Sequence, residues 1–133
     1  MHAAYEFAVL RLLPRVEREE FVNVGVLVFC EDRDVVAMRT EIDEARIRAL
    51  WPEVDFAVLH AHVDATARIC RGGASGGPIG ELSARERWRW LVAPRSTILQ
   101  TSAAHGGIVR EGETMDAILE GLLDRMVRVP PAT

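Results

Sequence analysis

Residues 21–30, with the sequence FVNVGVLVFC, limit the possible folds more than any other stretch of the chain. The run is apolar at almost every position, so a strand built from it has apolar side chains on both faces. Such a strand lies inside a sheet and needs a packed layer on each side. The sequence therefore predicts a layered fold in which this segment is an internal strand.

Two residues, Asn23 and Gly25, interrupt the apolar run. A glycine within a strand allows a bulge or the close approach of another backbone or side chain. A buried asparagine must bind its amide to neighbouring polar groups. We predict that Asn23 is mostly buried and hydrogen-bonded to the backbone around residues 15–20. An amide that faces a ligand is the alternative.

Strict alternation along the strand predicts which side chains share a face, because successive residues point to opposite sides. One face would carry Phe21, Asn23, Gly25, Leu27 and Phe29. The other face would carry Val22, Val24, Val26, Val28 and Cys30.

The rest of the pattern predicts an α+β fold. Strand signals cover residues 5–13, 35–40 and 96–102, with a short extended piece at 108–110. Helix signals cover residues 43–51, 55–70, 83–92 and 115–126, and Asp43, Asp55 and Ser83 are the expected N-caps. Residues 84–92 would also suit a strand, because Trp88 and Trp90 are two positions apart. We predict a single domain over residues 1–133, with an antiparallel sheet of four to five strands packed against three to four helices.

The stretch GGASGGPIG, residues 72–80, contains too much glycine for a regular element. It lacks the Gly-Lys-Ser/Thr of a phosphate-binding loop, and no strand leads into it. A flexible surface loop is the prediction.

Composition narrows the classes of function. The chain has 16 basic and 20 acidic residues, with every basic residue an arginine, and its net charge of −4 argues against a general nucleic-acid binder. Nothing at the N-terminus resembles a signal peptide and no apolar run is long enough for a membrane span, so we expect a cytoplasmic protein without membrane contact. Cys30 and Cys70 are expected to be buried, reduced thiols.

No cofactor and no metal site are expected. His60 and His62 lie two positions apart on a predicted helix, so they point to different sides, and no third ligand accompanies them. His105 lies in a predicted loop, where functional residues are more common than in cores.

The stretch RERWRWLVAPR, residues 85–95, interleaves arginine with tryptophan, a composition suited to phosphate contacts and base stacking. We favour packing of Trp88, Leu91 and Val92 in the core with a solvated arginine face. A module that contacts nucleic acid through Arg85 to Arg95 is one alternative function.

A small hydrolase or nuclease is a second alternative, with a polar site near Glu19, Arg95 and Ser96. The catalytic residues of such an enzyme are not identified by any motif. The candidates for contact with a ligand or partner are Arg18, Glu19, Glu20, Asn23, Arg95, Ser96, Gln100 and His105.

The segments YEFAVLRLLPRVEREEFVNVGVLVF and RWLVAPRSTILQTS, with the amphipathic helix that follows, resemble the bacterial family catalogued as domain of unknown function 3037. The family signature, of the type Arg-Glu-Phe-Val-Asn-x-Gly-Val, corresponds here to residues 18–26, with one additional glutamate. Genes of this family often neighbour genes for HipA-like kinases. The resemblance therefore implies an accessory or interaction module with a protein partner, such as that kinase; a homodimer is also compatible with the sequence.

Overall fold

A five-stranded antiparallel sheet forms the centre of the protein, which we describe from a computed structural model covering residues 3–130. The strands are β1 (Ala4–Leu12), β2 (Val22–Cys30), β3 (Val35–Thr40), β4 (Leu99–Thr101) and β5 (His105–Ile108). The helices are α1 (Glu44–Leu50), α2 (Phe56–Arg71), α3 (Gly77–Gly80), α4 (Ala84–Val92) and α5 (Met115–Met126). The predicted α+β fold is confirmed. The fifth helix is α3, a single turn inside the glycine-rich stretch.

The strand order is β3-β2-β1-β4, and β5 also pairs with β1. β4 pairs with the C-terminal part of β1 and β5 with its N-terminal part, so the two short strands share one edge of the sheet. β4 is shorter than the predicted strand. His105 begins β5 and pairs with Phe7, so its predicted place in a loop is wrong. The Tyr5 ring covers Gly107 of β5: a Cβ there would lie 2.2 Å from the ring, so a larger residue would require the Tyr5 side chain to move.

Apolar side chains pack on both faces of the sheet, as the pattern of β2 requires. Helices α1, α2 and α4 cover the first face, with core residues that include Ile47, Leu59, Val63, Trp88 and Leu91. Helix α5 covers the second face with Ile118, Leu119, Leu122 and Leu123. The predicted amphipathic character of the last helix is therefore confirmed: its apolar side is the core-facing side of α5.

A β-bulge in β2 overturns the predicted alternation. Pairing with β1 passes from Gly25 to Asn23, which leaves Val24 as the extra residue. Beyond the bulge the faces exchange: Val22 and Val24 share the first face with Leu27 and Phe29, whereas Val26, Val28 and Cys30 pack on the second.

Gly25 also permits the close approach of β3, the other role predicted for it. A Cβ at this position would lie 2.8 Å from the carbonyl oxygen of Arg39 and 2.9 Å from Cγ2 of Thr40. Both distances are shorter than van der Waals contact, so the bulge and the neighbouring strand depend on a residue without a side chain.

The predicted helix N-caps are confirmed by their hydrogen bonds. Asp43 accepts from the Arg46 N–H at 3.1 Å, Asp55 from the Ala57 N–H at 3.0 Å, and Ser83 from the Glu86 N–H at 3.2 Å. Residues 84–92 form a helix, which decides between the two predicted alternatives.

The glycine-rich stretch contains a 3-10 turn (Ala74–Gly76) and then α3. The expectation that residues 72–80 have no regular structure is therefore wrong. A backbone hydrogen bond joins the two ends of the stretch, because the Gly73 N–H donates to the Gly80 carbonyl at 2.7 Å. Its mobility stays a prediction.

Arg87 of α4 lies inside the protein, with 8% of its surface exposed. Its guanidinium donates to the carbonyls of Ile69 at 2.9 Å, Cys70 at 2.6 Å and Leu82 at 3.1 Å. It thus satisfies carbonyls at the C-terminus of α2, where the helix dipole favours a cation. The predicted solvated arginine face is wrong for this residue, while the core position predicted for Trp88 is confirmed.

Ion pairs hold the exposed side of α5 against β3. Arg39 contacts Asp116 and Glu120 of α5. Arg128, just after α5, contacts Glu120 and also Glu41 beyond the end of β3. Among residues 3–130, no helix has the length and apolar character needed to cross a membrane.

Candidate functional site

Most of the predicted site residues gather toward one end of the sheet. β1 ends there, β2 begins there, and β4 begins there because the strands are antiparallel. The Leu13 N–H donates to the Ile98 carbonyl at 2.6 Å, which continues the pairing of β1 with the chain before β4. Candidates at this end are Arg18, Glu19, Glu20, Asn23, Arg95, Ser96 and Gln100. His105 lies apart from them on β5, with its ring 5.5 Å from the Phe7 ring.

A cleft of about 390 Å³ opens at this end between residues 14–20 and the end of α1. We call it the connection cleft. Its lining residues are Pro14, Arg15, Arg18, Glu20, Ala49, Leu50, Trp51, Pro52 and Glu53. Apolar groups from the α1 side face charged groups from the connection. Of the predicted candidates, the structure brings Arg18 and Glu20 together here.

The connection between β1 and β2 has a defined backbone. A 3-10 turn (Val16–Arg18) is followed by Glu19, whose φ of 57° lies in the left-handed region that is uncommon for a residue with a side chain. This turn sends the chain back so that the Glu20 carboxylate pairs with the Arg18 guanidinium. Glu19 itself is exposed and does not line the cleft. The cleft therefore carries both signs of charge.

Asn23 supports α5 and not the connection. Its Nδ2 donates to the Met126 carbonyl at 2.9 Å, at the C-terminus of α5. The predicted bond to residues 15–20 is wrong because the bulge turns Asn23 toward the α5 face. The side chain is half-buried, although Oδ1 is inaccessible.

Beside Asn23 lies Arg11, its partner across the strand pair. Within the described residues, Asn23 Oδ1 and Arg11 Nε are buried without a hydrogen-bond partner. One is an acceptor and the other a donor. The Arg11 guanidinium stacks over the Phe21 ring at 4.2 Å, and Phe21 is 44% exposed. The sequence did not single out this exposed aromatic residue, because the apolar run suggested burial.

A second cleft, of about 200 Å³, lies between α2, α4 and β4. We call it the Arg95 cleft. Its polar lining residues are His62, Thr66, Arg95, Thr97, Gln100 and Thr101, and its apolar ones include Leu10, Ile69, Trp90, Leu91 and Leu99. It brings together two predicted candidates, Arg95 and Gln100. Ser96 is exposed and lines neither cleft.

Arg95 is held in place by α4. Its guanidinium lies over the Trp90 ring at 4.1 Å, Nη2 donates to the Trp90 carbonyl, and Nε donates to the Ala93 carbonyl at 3.4 Å. Partial burial lowers the pKa of Arg95 from the ordinary arginine value. The sequence grouped Trp90 with Arg95 only in the alternative of nucleic-acid contact. It had not identified His62 as part of a site with Arg95, because His62 comes from a different element, α2.

The arginines of residues 85–95 point in different directions. Arg85 pairs with Glu31, Arg87 is buried, and Arg89 is exposed. The three residues proposed for a hydrolytic site, Glu19, Arg95 and Ser96, are not brought into one cleft of the described structure.

Both cysteines are free and buried, as predicted. Burial raises the pKa of the Cys70 thiol to about 12, and the neighbouring Arg87 and Arg71 guanidinium groups lower it by less. A thiol with this pKa is a poor nucleophile at neutral pH, since the thiolate is the reactive form. In the part of the chain that the structure describes, no three histidine, cysteine or acidic residues are grouped to hold a metal ion.

A family model described as "Protein of unknown function (DUF3037)" matches residues 7–127, which is most of the chain. No match was found among curated proteins or among solved structures. The family match agrees with the resemblance carried by the first two strands, residues 89–102 and the final helix.

Proposed function

Because the chain belongs to the family described as "Protein of unknown function (DUF3037)", we propose its role from geometry: an accessory module that binds a segment of a partner protein. The observation that carries this proposal is the connection cleft, whose lining combines apolar residues with charged residues of both signs. Contact surfaces of proteins commonly combine an apolar centre with a polar rim.

The size and lining of the cleft favour a peptide segment over a small anion. At about 390 Å³ it falls within the usual range for ligand sites. Leu50, Trp51 and Pro52 supply apolar contact area, and tryptophan is common among the residues that dominate binding energy. Arg18 is already paired with Glu20, so a bare anion would compete with a carboxylate of the protein itself. A partner segment with an apolar side chain and flanking charges of both signs complements this surface.

We propose a HipA-like kinase as the first partner to test. The support for this choice is the gene neighbourhood implied by the family resemblance. Such a partner would supply the catalytic chemistry, and this chain would supply a binding surface.

The test is a binding titration of the full chain with a purified HipA-like kinase from the same genome, followed by calorimetry. Arg18→Glu is expected to weaken binding at least tenfold, because it reverses one charge of the cleft and repels Glu20. Arg71→Glu is the matched control: Arg71 is also exposed, lies on α2 outside the cleft, and gives the same change in net charge.

Two results would contradict the proposal. Saturable binding that both variants weaken equally would show that the connection cleft is not the contact surface. No binding of the kinase to the wild-type chain would refute the choice of partner.

A further inference from the structure

The Arg95 cleft is distinct from the proposed docking surface. It lies between α2, α4 and β4, and shares no lining residue with the connection cleft. Its floor is apolar, formed by Leu10, Leu91 and Leu99, which are all buried. Its volume of about 200 Å³ is below the usual range for drug-sized ligands, so only a small molecule would fit.

Arg95 brings a positive charge to this cleft without a protein carboxylate to neutralise it. Among the described residues, no aspartate or glutamate forms an ion pair with Arg95. The guanidinium is already ordered by its stacking on Trp90 and by its two bonds to backbone carbonyls. Nη1 makes no hydrogen bond to a described residue, so both of its N–H groups are available to a ligand.

His62 lines the same cleft from α2 and supplies a second side-chain donor. The other polar side chains of the cleft donate to backbone carbonyls. The Thr97 hydroxyl donates to the Leu99 carbonyl at 2.7 Å, and the Gln100 amide donates to the Thr97 carbonyl at 2.8 Å. The hydroxyls of Thr66 and Thr101 donate to the His62 and Leu91 carbonyls at 3.0 and 3.4 Å. The cleft thus has one cation, one imidazole and an apolar floor.

We propose that the Arg95 cleft binds a small organic monocarboxylate, with its carboxylate on Arg95 and His62 and its apolar part on Leu91 and Leu99. A guanidinium binds a carboxylate through charge-assisted hydrogen bonds, and its preordered position reduces the entropy lost on binding. The apolar floor distinguishes such a ligand from inorganic phosphate, which has no apolar part to bury.

The probe is benzoate, titrated into the ¹⁵N-labelled full chain. The reporter is the indole N–H resonance of Trp90, identified among the three tryptophans by its absence in Trp90→Phe. Benzoate is expected to shift this resonance saturably. Benzamide, which has the same ring without the charge, and inorganic phosphate, which has the charge without the ring, are each expected to bind at least tenfold more weakly.

Two pairs of variants locate the site. Arg95→Gln is expected to weaken benzoate binding at least tenfold, and Arg89→Gln, on an exposed position of α4 outside the cleft, is expected to have no effect. His62→Glu places a carboxylate in the cleft opposite Arg95 and is also expected to weaken binding at least tenfold. His60→Glu makes the same charge change elsewhere on α2. Both histidines are exposed, so these two variants are expected to fold.

Three results would overturn the proposal: no saturable shift with benzoate, equal affinity for benzoate and benzamide or phosphate, or equal effects of the two glutamate variants. Because the connection cleft has different lining residues, each result leaves the docking proposal separately testable.

Discussion

Arg87→Met is expected to lower the free energy of unfolding by about 3 kcal/mol. Methionine is similar in length and fills irregular core space, so the substitution mainly removes the hydrogen bonds of the guanidinium. The Ile69 carbonyl keeps a bond from the Gly72 N–H at 3.2 Å. The carbonyls of Cys70 and Leu82 lose the donor that the structure gives them. A hydrogen bond to a charged group contributes about 1.5 to 3 kcal/mol, and the released cost of burying a cation offsets part of the sum of the two lost bonds.

The assay is urea denaturation followed by tryptophan fluorescence. Trp88 is a suitable reporter because it is buried and stacks on Phe29 with ring centroids 5.9 Å apart. The matched control is Arg89→Met, an exposed position on the same helix, which is expected to change stability by less than about 0.5 kcal/mol. If Arg87→Met were as stable as this control, the three carbonyl bonds would contribute nothing net and the reasoning would be refuted.

Amide hydrogen exchange of the same two variants measures how the loss of Arg87 affects the glycine-rich stretch. The Gly73 and Gly76 N–H groups bond within this stretch at 2.7 and 3.1 Å, and Arg87 lies against Gly72. Faster exchange of these amides in Arg87→Met, but not in Arg89→Met, is expected because Arg87 anchors the end of α2 to the stretch. In the wild type, the predicted mobility of residues 72–80 should make these amides exchange faster than those of β2 but slower than in an unfolded chain. Protection equal to that of β2 would contradict that mobility.

Gly25→Ala is expected to destabilise the fold by about 2 kcal/mol in chemical denaturation, because its Cβ would lie 2.8 Å from the Arg39 carbonyl oxygen. Asn23→Ala is expected to cost about 1 kcal/mol in the same assay, because it removes the bond to the Met126 carbonyl. Burial raises the pKa of Cys70 from an ordinary value of 9.0 to about 12, so the unfolded chain loses this proton first as pH rises. Denaturation at increasing pH should therefore show stability falling between these values by up to about 1.4 kcal/mol per pH unit.

A control for each variant tests whether its change in stability comes from the contact proposed. Gly121→Ala, in α5, meets open space and is expected to be neutral or stabilising, so equal losses at both glycines would contradict the close approach at Gly25. Arg18→Ala is expected to stay within about 0.5 kcal/mol of the wild type, since the Arg18 side chain is 60% exposed. A larger loss for Arg18→Ala than for Asn23→Ala would contradict the assignment of Arg18 to the surface of the cleft and of Asn23 to the support of α5. Cys70→Ala should reduce the loss of stability with rising pH. If the loss were unchanged in this variant, it would come from groups other than Cys70.

The elements of this protein could be predicted where the information is local. The apolar stripe of α5 and the caps Asp43, Asp55 and Ser83 involve residues within a few positions of one another. The central position of β2 followed from its apolar residues alone. A bulge or a close approach of another strand at Gly25 could also be predicted, because glycine interrupts a run that otherwise favours a strand.

The candidate site could be predicted only as a region. The structure places Arg18, Glu20, Arg95 and Gln100 toward one end of the sheet. The sequence named these four residues only as candidates for contact with a ligand or partner. It did not show that α1 encloses the first pair in one cleft and that α2 and α4 enclose the second pair in another. Helix positions relative to the sheet depend on packing between distant segments, which no local spacing records.

By itself, the sequence determined the class of fold, the internal strand and the helix starts, since each follows from side chains close together along the chain. Only the tertiary structure decided three features: the bulge at Val24, the contact of Asn23 with α5, and the burial of Arg87. The register of β2 depends on its pairing with β1, and the bulge turns Asn23 toward Met126, which is 103 positions away. Arg87 is buried because the end of α2, 17 positions earlier, offers carbonyls that the helix cannot satisfy.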